Sequence, residues 1–237
     1  SSWAVFQKNL PIVPITDLKI KDNSLIVATQ GRSIWILDDL TVLHQIQSKK
    51  VSKQTILYKP KQSYRIKGGG GKSSLTAGTN LPNGVIVHYF LKKFNSEKDK
   101  IELQFKSIDG KIIKKYSSSD NKNKLNIKEG GNSFVWDTRY DGAEKLEGMI
   151  FWSASFSGAK AVPGSYIVSL LVNGEEQSQN FDILADPRSE SSIADMQKQF
   201  DFVNEVNQTV DDAHKAIKRI RDITTKLSDF VKQNETD

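Results

Sequence analysis

From residue 12 to residue 184 the chain is interrupted by turn-forming dipeptides, and most of the apolar runs between them are too short for helices. Residues 12–20, IVPITDLKI, lead into KDNS (21–24); LIVAT (25–29) follows, then the turn QGR and SIWIL (33–37). Val, Ile, Leu and Trp favour strands, while Asp22-Asn23 and Gly31 supply turn chemistry. The pattern predicts a three-stranded antiparallel meander. Such a unit is too small to enclose a core of its own and needs apolar surface from elsewhere.

A denser series begins near residue 55. TILYKP (55–60) and YRI (64–66) read as a connector and first strand, and GVIVHYFLKK (84–93) as a long strand. IELQFKS (101–107), the turn IDGK and IIKKY (112–116) form a hairpin; NSFVWDTRYDG (132–142) adds a strand and turn, and MIFWSASF (149–156) is a further strand candidate. SYIVSLLVNGEEQSQNFDIL (165–184) is a hairpin opened by Pro163-Gly164 and turned near Asn173-Gly174. Six to eight short antiparallel strands over roughly 125 residues predict an immunoglobulin- or fibronectin-like β-sandwich. Two-residue periodicity puts Tyr166, Val168 and Leu170 on one face of their strand and Ile167, Ser169 and Leu171 on the other. Trp136 shares a face with Phe134 and reads as core. Asp137 and Arg139 read as a local ion pair or as turn anchors. His88, between Ile86 and Phe90 on one face, reads as a packed histidine.

Residues 190–233 contain neither Gly nor Pro. Val203, Val206, Val210, Ala213, Ile217, Ile220, Leu227 and Val231 recur at intervals of three and four, the signature of a helix with one apolar stripe. Ser192 is the N-cap candidate, with Asp195 three residues on. A single helix of about 40 residues spans roughly 60 Å, and its stripe needs a partner helix, a hairpin fold or the sandwich to cover it. VNQTVDD (206–212) is the candidate bend, with Thr209 able to cap a second helix. The domain reading is therefore 1–54, meander and connector; 55–188, sandwich; and 189–237, helix or helical hairpin.

Charge and composition exclude several function classes. The net charge of +6 is spread as seven Lys/Arg against four Asp/Glu in residues 1–57, twenty against fourteen in 58–188, and seven against ten in 189–237. The lysines of KKFNSEKDK and SSSDNKNK are interleaved with acids and amides, unlike the concentrated basic face of a nucleic-acid module. The absence of Cys removes disulfides and thiolate chemistry, and His44, His88 and His214 form no H-x-x-x-H pair. No apolar run is long enough for a transmembrane segment. The N-terminus lacks a signal-peptide pattern, which a trimmed chain would also lack. GGGGKSS (68–74) is not a phosphate loop: the first glycine of G-x-x-x-x-G-K-S would fall at Ile66, and no helical period follows. It reads as a loop. No cofactor is expected.

The stretch from Asp17 to Leu40, whose Gly31–Asp39 portion reads G-R-x-I-W-I-L-D-D, resembles the closing strands of the last blade in sortilin-like, glycosyl-hydrolase-like β-propeller proteins. The G-x-N-x-F-x-W-D-x-R pattern ending at Arg139 and the P-G-x-Y-x-V pattern from Pro163 to Val168 resemble the accessory sandwich of those proteins and of flagellar-hook-cap-like modules. The resemblance implies a C-terminal part of a larger protein, with a propeller-blade remnant in residues 1–54, because a whole propeller needs several blades of about 40 residues. It implies a secreted or periplasmic setting, although the sequence alone is equally compatible with the cytoplasm.

Within the meander, Gly31 is a turn residue, Arg32 is expected to form a buried ion pair with Asp38 or Asp39, and Trp35 packs on a neighbouring strand. Adjacent Asp38 and Asp39 point to opposite faces of a strand, whereas a glycosidase needs two carboxyls across one cleft. The Asp-box loop of sialidase-like propellers, S-x-D-x-G-x-T-W, is missing. The expected function is a non-catalytic structural or protein-interaction region whose partner is the upstream propeller or another protein chain. The alternative is an accessory carbohydrate-binding region holding an oligosaccharide on Trp35, Tyr140 and Trp152. Gly31, Arg32, Asp38, Asp39, Trp136, Asp137, Arg139, Pro163, Gly164 and Tyr166 are the expected structural residues.

Overall fold

The computed structural model describes residues 5–48, 54–66, 78, 80–149 and 155–234. The fold is mainly β with a long C-terminal helix, as the strand spacing and the Gly/Pro-free tail predict.

The meander forms as expected from β1 (Ile15–Lys21), β2 (Ser24–Thr29) and β3 (Ile34–Leu37), paired in the order β1-β2-β3. Asp22 and Asn23, at φ of 49° and 62°, make the two-residue turn that joins Lys21 to Ser24 in register. Asp and Asn tolerate this left-handed conformation because their short side chains bond locally. Gly31 at φ 76° and Ser33 at φ 64° make the second turn, closed by the Thr29 hydroxyl donating to the Ser33 carbonyl at 2.6 Å.

A short helix that the sequence reading did not anticipate, α1 (Thr41–Ser48), follows directly. The Asp39 carboxylate accepts the Thr41 amide at 2.9 Å, and the Asn23 side chain donates to both Asp39 and Thr41. One turn residue thus ties the meander to the start of the helix. Gln45 then forms a reciprocal pair of hydrogen bonds with the Lys59 backbone, its amide donating to the carbonyl at 3.0 Å and its carbonyl accepting the amide at 2.8 Å.

Eight strands build the sandwich: β4 (Thr55–Leu57), β5 (Ser63–Arg65), β6 (Val85–Leu91), β7 (Ile101–Ser107), β8 (Ile112–Ser117), β9 (Gly130–Trp136), β10 (Gly164–Val172) and β11 (Glu175–Ala185). One sheet has the order β4-β6-β9 and the other β5-β11-β10-β7-β8. All pairs are antiparallel except β5 with β11. The alternation of β6 is complete: Val85, Val87, Tyr89 and Leu91 are buried while Ile86, His88 and Phe90 face outward, half-covered. Tyr166, Val168 and Leu170 of β10 enter the same core, as their periodicity predicts. Asn173 (φ 52°) and Gly174 (φ 93°) supply the hairpin turn between β10 and β11. In MIFWSASF, Met149, Ser155 and Phe156 are not in a strand, and its other residues lie outside the described ones, as does GGGGKSS.

The tail is one continuous helix, α2 (Ile193–Asn234), of 42 residues. The bend proposed at VNQTVDD does not form. Thr209 turns its hydroxyl back to the Glu205 carbonyl at 2.9 Å instead of capping a new helix, and no Gly or Pro interrupts the ladder. The start is capped as expected: the Ser192 hydroxyl accepts the Asp195 amide at 3.1 Å, and the Asp195 carboxylate accepts from the Ser192 hydroxyl at 2.6 Å. No helix among the described residues is long and apolar enough to cross a membrane.

Candidate functional site

A polar concavity lies where β5, the turn after β9, the segment before β10 and the first turns of α2 meet. Its construction starts at Trp136, which ends β9 in the core and donates its indole N–H to the Arg139 carbonyl at 3.1 Å. Thr138 is buried at φ 62°, a conformation unusual for a β-branched residue. The strand is thereby forced into a corner. The Asp137 carboxylate accepts the Arg139 amide at 3.0 Å, which makes Asp137 a turn anchor, and the described residues include no ion pair between the two.

Beyond the corner, Thr138 to Tyr140 run against residues 159–161, with Ala161 N–H donating to Thr138 at 2.7 Å and Tyr140 N–H to Ala159 at 2.9 Å. Gly142 and Gly158 permit this approach, because a Cβ on either would collide with the carbonyl of Phe156 or Tyr140.

Three cations line the resulting cleft of about 700 Å³. Arg139 donates to the Gly158 carbonyl at 2.8 Å, Lys160 to the Ile66 carbonyl at 2.6 Å, and Arg65 to the Ala161 carbonyl at 3.1 Å and the Gln199 side chain of α2 at 3.0 Å. Burial, then the neighbouring Arg139 and Arg65, push the Lys160 ammonium below its ordinary pKa. Burial and Arg139 act likewise on Arg65.

The cleft also holds two carboxylates, each already engaged. Asp186 pairs with Arg188 at 2.8 Å, which holds its pKa down to about 2, and Asp195 belongs to the α2 cap. A carboxyl ionised that far below neutrality is a poor proton donor. Chemically the cleft is an electropositive hollow whose cations are fixed by main-chain carbonyls.

A second concavity, about 550 Å³, runs between α1 and the outer face of the three-stranded sheet, lined by Val42, Ile46, Tyr58, His88 and Phe90. Burial lowers the His88 pKa, opposed by the charge of Asp39. Asn132 on its edge is committed to Lys128 and Gly130, so it serves the backbone.

The aromatic residues expected to hold a ligand do not form one platform. Trp35 donates its indole N–H to the Arg32 carbonyl at 2.8 Å and lies beside residues 6–10 over β2 and β3. The ring of Tyr140 is covered edge to face by Phe200 of α2, with centroids 4.7 Å apart, which makes it a docking contact for the helix. Trp152 lies outside the described residues.

The expected buried ion pair of Arg32 is also absent among the described residues. Arg32 is exposed; Asp39 caps α1, and the Asp38 carbonyl accepts the Ser24 hydroxyl. Trp136 is fully buried, Pro163-Gly164 opens β10, and the Tyr166 hydroxyl donates to the Val162 carbonyl at 2.6 Å. Arg65 and Lys160 were missed in the sequence; the one signal for Lys160 was a lysine set between alanines ahead of Val162-Pro163.

The described residues hold no group of three or more His, Asp or Glu placed to bind a metal ion. The chain matches no protein-family model and no curated protein sequence.

Proposed function

We propose that this chain is a non-catalytic structural and protein-interaction region of a larger sortilin-like propeller protein, with β1–β3 acting as the surface that engages the rest of the propeller. One observation carries the reading. Register places Leu18 and Ile20 on one face of the meander with Val27 and Trp35, and Ile34 and Ile36 on the other with Ile26. Residues 6–10 cover part of the first face only, and Leu18, Ile20, Ile34 and Ile36 are each more than half exposed. Asp17 and Lys19 share the second face on the outer strand β1, so the apolar surface there is confined to β2 and β3. A sheet with exposed apolar side chains on both faces is built to be sandwiched. Covering one such side chain is worth about 1.5–3 kcal/mol.

The test is amide exchange of β1–β3 with and without the polypeptide encoded upstream. Its addition should slow exchange in the meander, and Ile34→Asp with Ile36→Asp should abolish the effect. Identical exchange in both samples sinks the reading.

A further inference from the structure

Arg139 and Lys160 stand directly opposite each other in the short antiparallel crossing beside the cationic cleft. The hydrogen bonds of that crossing, Ala161 to Thr138 and Tyr140 to Ala159, flank this pair instead of joining it. In such a pair the opposed side chains come closest, and like charges placed there repel. Arg65 brings a third cation to the same spot, because its Nε donates to the carbonyl of Ala161, next to Lys160. All three are half-buried, so dissolved salt screens them little. Burial first, and then the charges of Arg139 and Arg65, lower the Lys160 pKa, so the three lie within reach of one another.

Holding main-chain carbonyls does not account for this charge. Elsewhere the chain ties its backbone with neutral amides: Gln45 to Lys59, Gln177 to Thr55 and Leu57, and Asn132 to Lys128 and Gly130. At the cleft, cations stand where such amides would serve. The nearby carboxylates are engaged otherwise. Asp186 is matched by Arg188, Asp195 bonds the Ser192 hydroxyl, and Asp137 accepts the Arg139 amide. Asp137 does favour the charged form of Lys160, but it is the weakest influence on that group.

The remaining donors describe the ligand. Within the described residues Arg139 gives one of its five N–H bonds, Arg65 two of five, and Lys160 one of three. Donors arriving from three separate segments suit an anion with three or more acceptor oxygens, which phosphate and sulfate groups have and a carboxylate lacks. Ser157 and Ser191 line the same hollow. Its volume of about 700 Å³ is that of a small-molecule site, with room for a group that carries the anion.

We infer that the cleft between β5, the Arg139–Lys160 crossing and the start of α2 binds a phosphate or sulfate group, held by Arg65, Arg139 and Lys160. The site lies apart from β1–β3 and is independent of the role proposed for that meander.

The test is titration calorimetry of the 237-residue chain at fixed ionic strength with inorganic phosphate, inorganic sulfate, phenyl phosphate and phenyl sulfate, and with phenol as the uncharged control. Saturable binding of at least one of the anions, and none of phenol, is expected. Tighter binding of an ester than of its free ion assigns the site to an ester; equal binding assigns it to the ion itself. Lys160→Gln and Arg139→Gln keep a donor for the carbonyls of Ile66 and Gly158, and each should weaken binding by roughly tenfold or more. Lys160→Arg keeps the charge and should keep binding, and exposed Lys232→Gln should change nothing. The bound anion should also raise the melting temperature of the unaltered chain above that in sodium chloride of equal ionic strength, a readout that needs no variant. No saturable binding of any of the four anions, or binding that Lys160→Gln and Arg139→Gln leave unchanged, overturns the inference.

Discussion

Phe105 and Trp136 stack face to face between the two sheets of the sandwich, with ring centroids 4.5 Å apart and planes inclined by 22°. The first comes from β7 in the five-stranded sheet and the second from β9 in the three-stranded sheet. Phe181 meets both rings edge-on at 6.4 and 6.3 Å. In a chain without disulfides this aromatic knot joins the layers. Phe105→Ala should cost about 3–5 kcal/mol, read as a lower urea midpoint.

Tyr89 projects into the same core and is fully buried, yet its hydroxyl has no hydrogen-bond partner among the described residues. Burial pushes its pKa up to about 12. An unpartnered buried hydroxyl costs about 1–3 kcal/mol, so Tyr89→Phe should leave stability unchanged or raise it by about 1 kcal/mol. The pH sign follows from the raised value. The folded state keeps the phenol proton longer than the unfolded chain, so stability is complete below about pH 10 and falls as pH rises toward 12. Tyr89→Phe should therefore flatten part of the alkaline limb of a stability–pH curve.

Glu176 gives the opposite limb. Lys106 donates to its carboxylate at 2.7 Å, and Lys106, Ser169 and Ser178 together hold its pKa down to about 2. The stability from this group is complete above about pH 4.5, the ordinary glutamate value, and is lost as pH falls toward 2. About two-fifths of the side chain is exposed, so screening keeps the effect below about 1 kcal/mol. Glu176→Gln should remove pH dependence in that window and shift the midpoint little at neutral pH.

Gly158 tests the corner that carries the cationic cleft. A methyl group there would collide with the Tyr140 carbonyl, and the backbone must part. Gly158→Ala should lower the melting temperature and also loosen α2, because Tyr140 and Arg139 are both set by this crossing. Faster amide exchange in the first turns of α2, with the middle of the helix unchanged, is the expected pattern.

The strands were legible because their causes are local. Alternation at Tyr166, Val168 and Leu170 and the left-handed turn residues Asp22, Asn23 and Asn173 speak through near neighbours. The helix α1 was not legible: Thr41, Val42 and Ile46 favour strands, and the helix depends on the Asp39 cap and on a groove wall supplied by Tyr58, His88 and Phe90. The same cap diverted Asp39 from the ion pair expected with Arg32. Thr209 was ambiguous for a similar reason, since one hydroxyl can begin a helix or bond back within one. The cleft was invisible because Arg65, Arg139 and Lys160 are brought together only by the β5–β11 register and the corner at Thr138.

The parallel pairing of β5 with β11 also sets how the sandwich meets mechanical load. Ser63 to Arg65 run beside Ile183 to Ala185 in the same direction, close to where the chain enters and leaves the domain. Tension applied ahead of β5 and beyond β11 pulls these strands past one another lengthwise, so their rungs are stressed in shear and must yield together instead of unzipping singly.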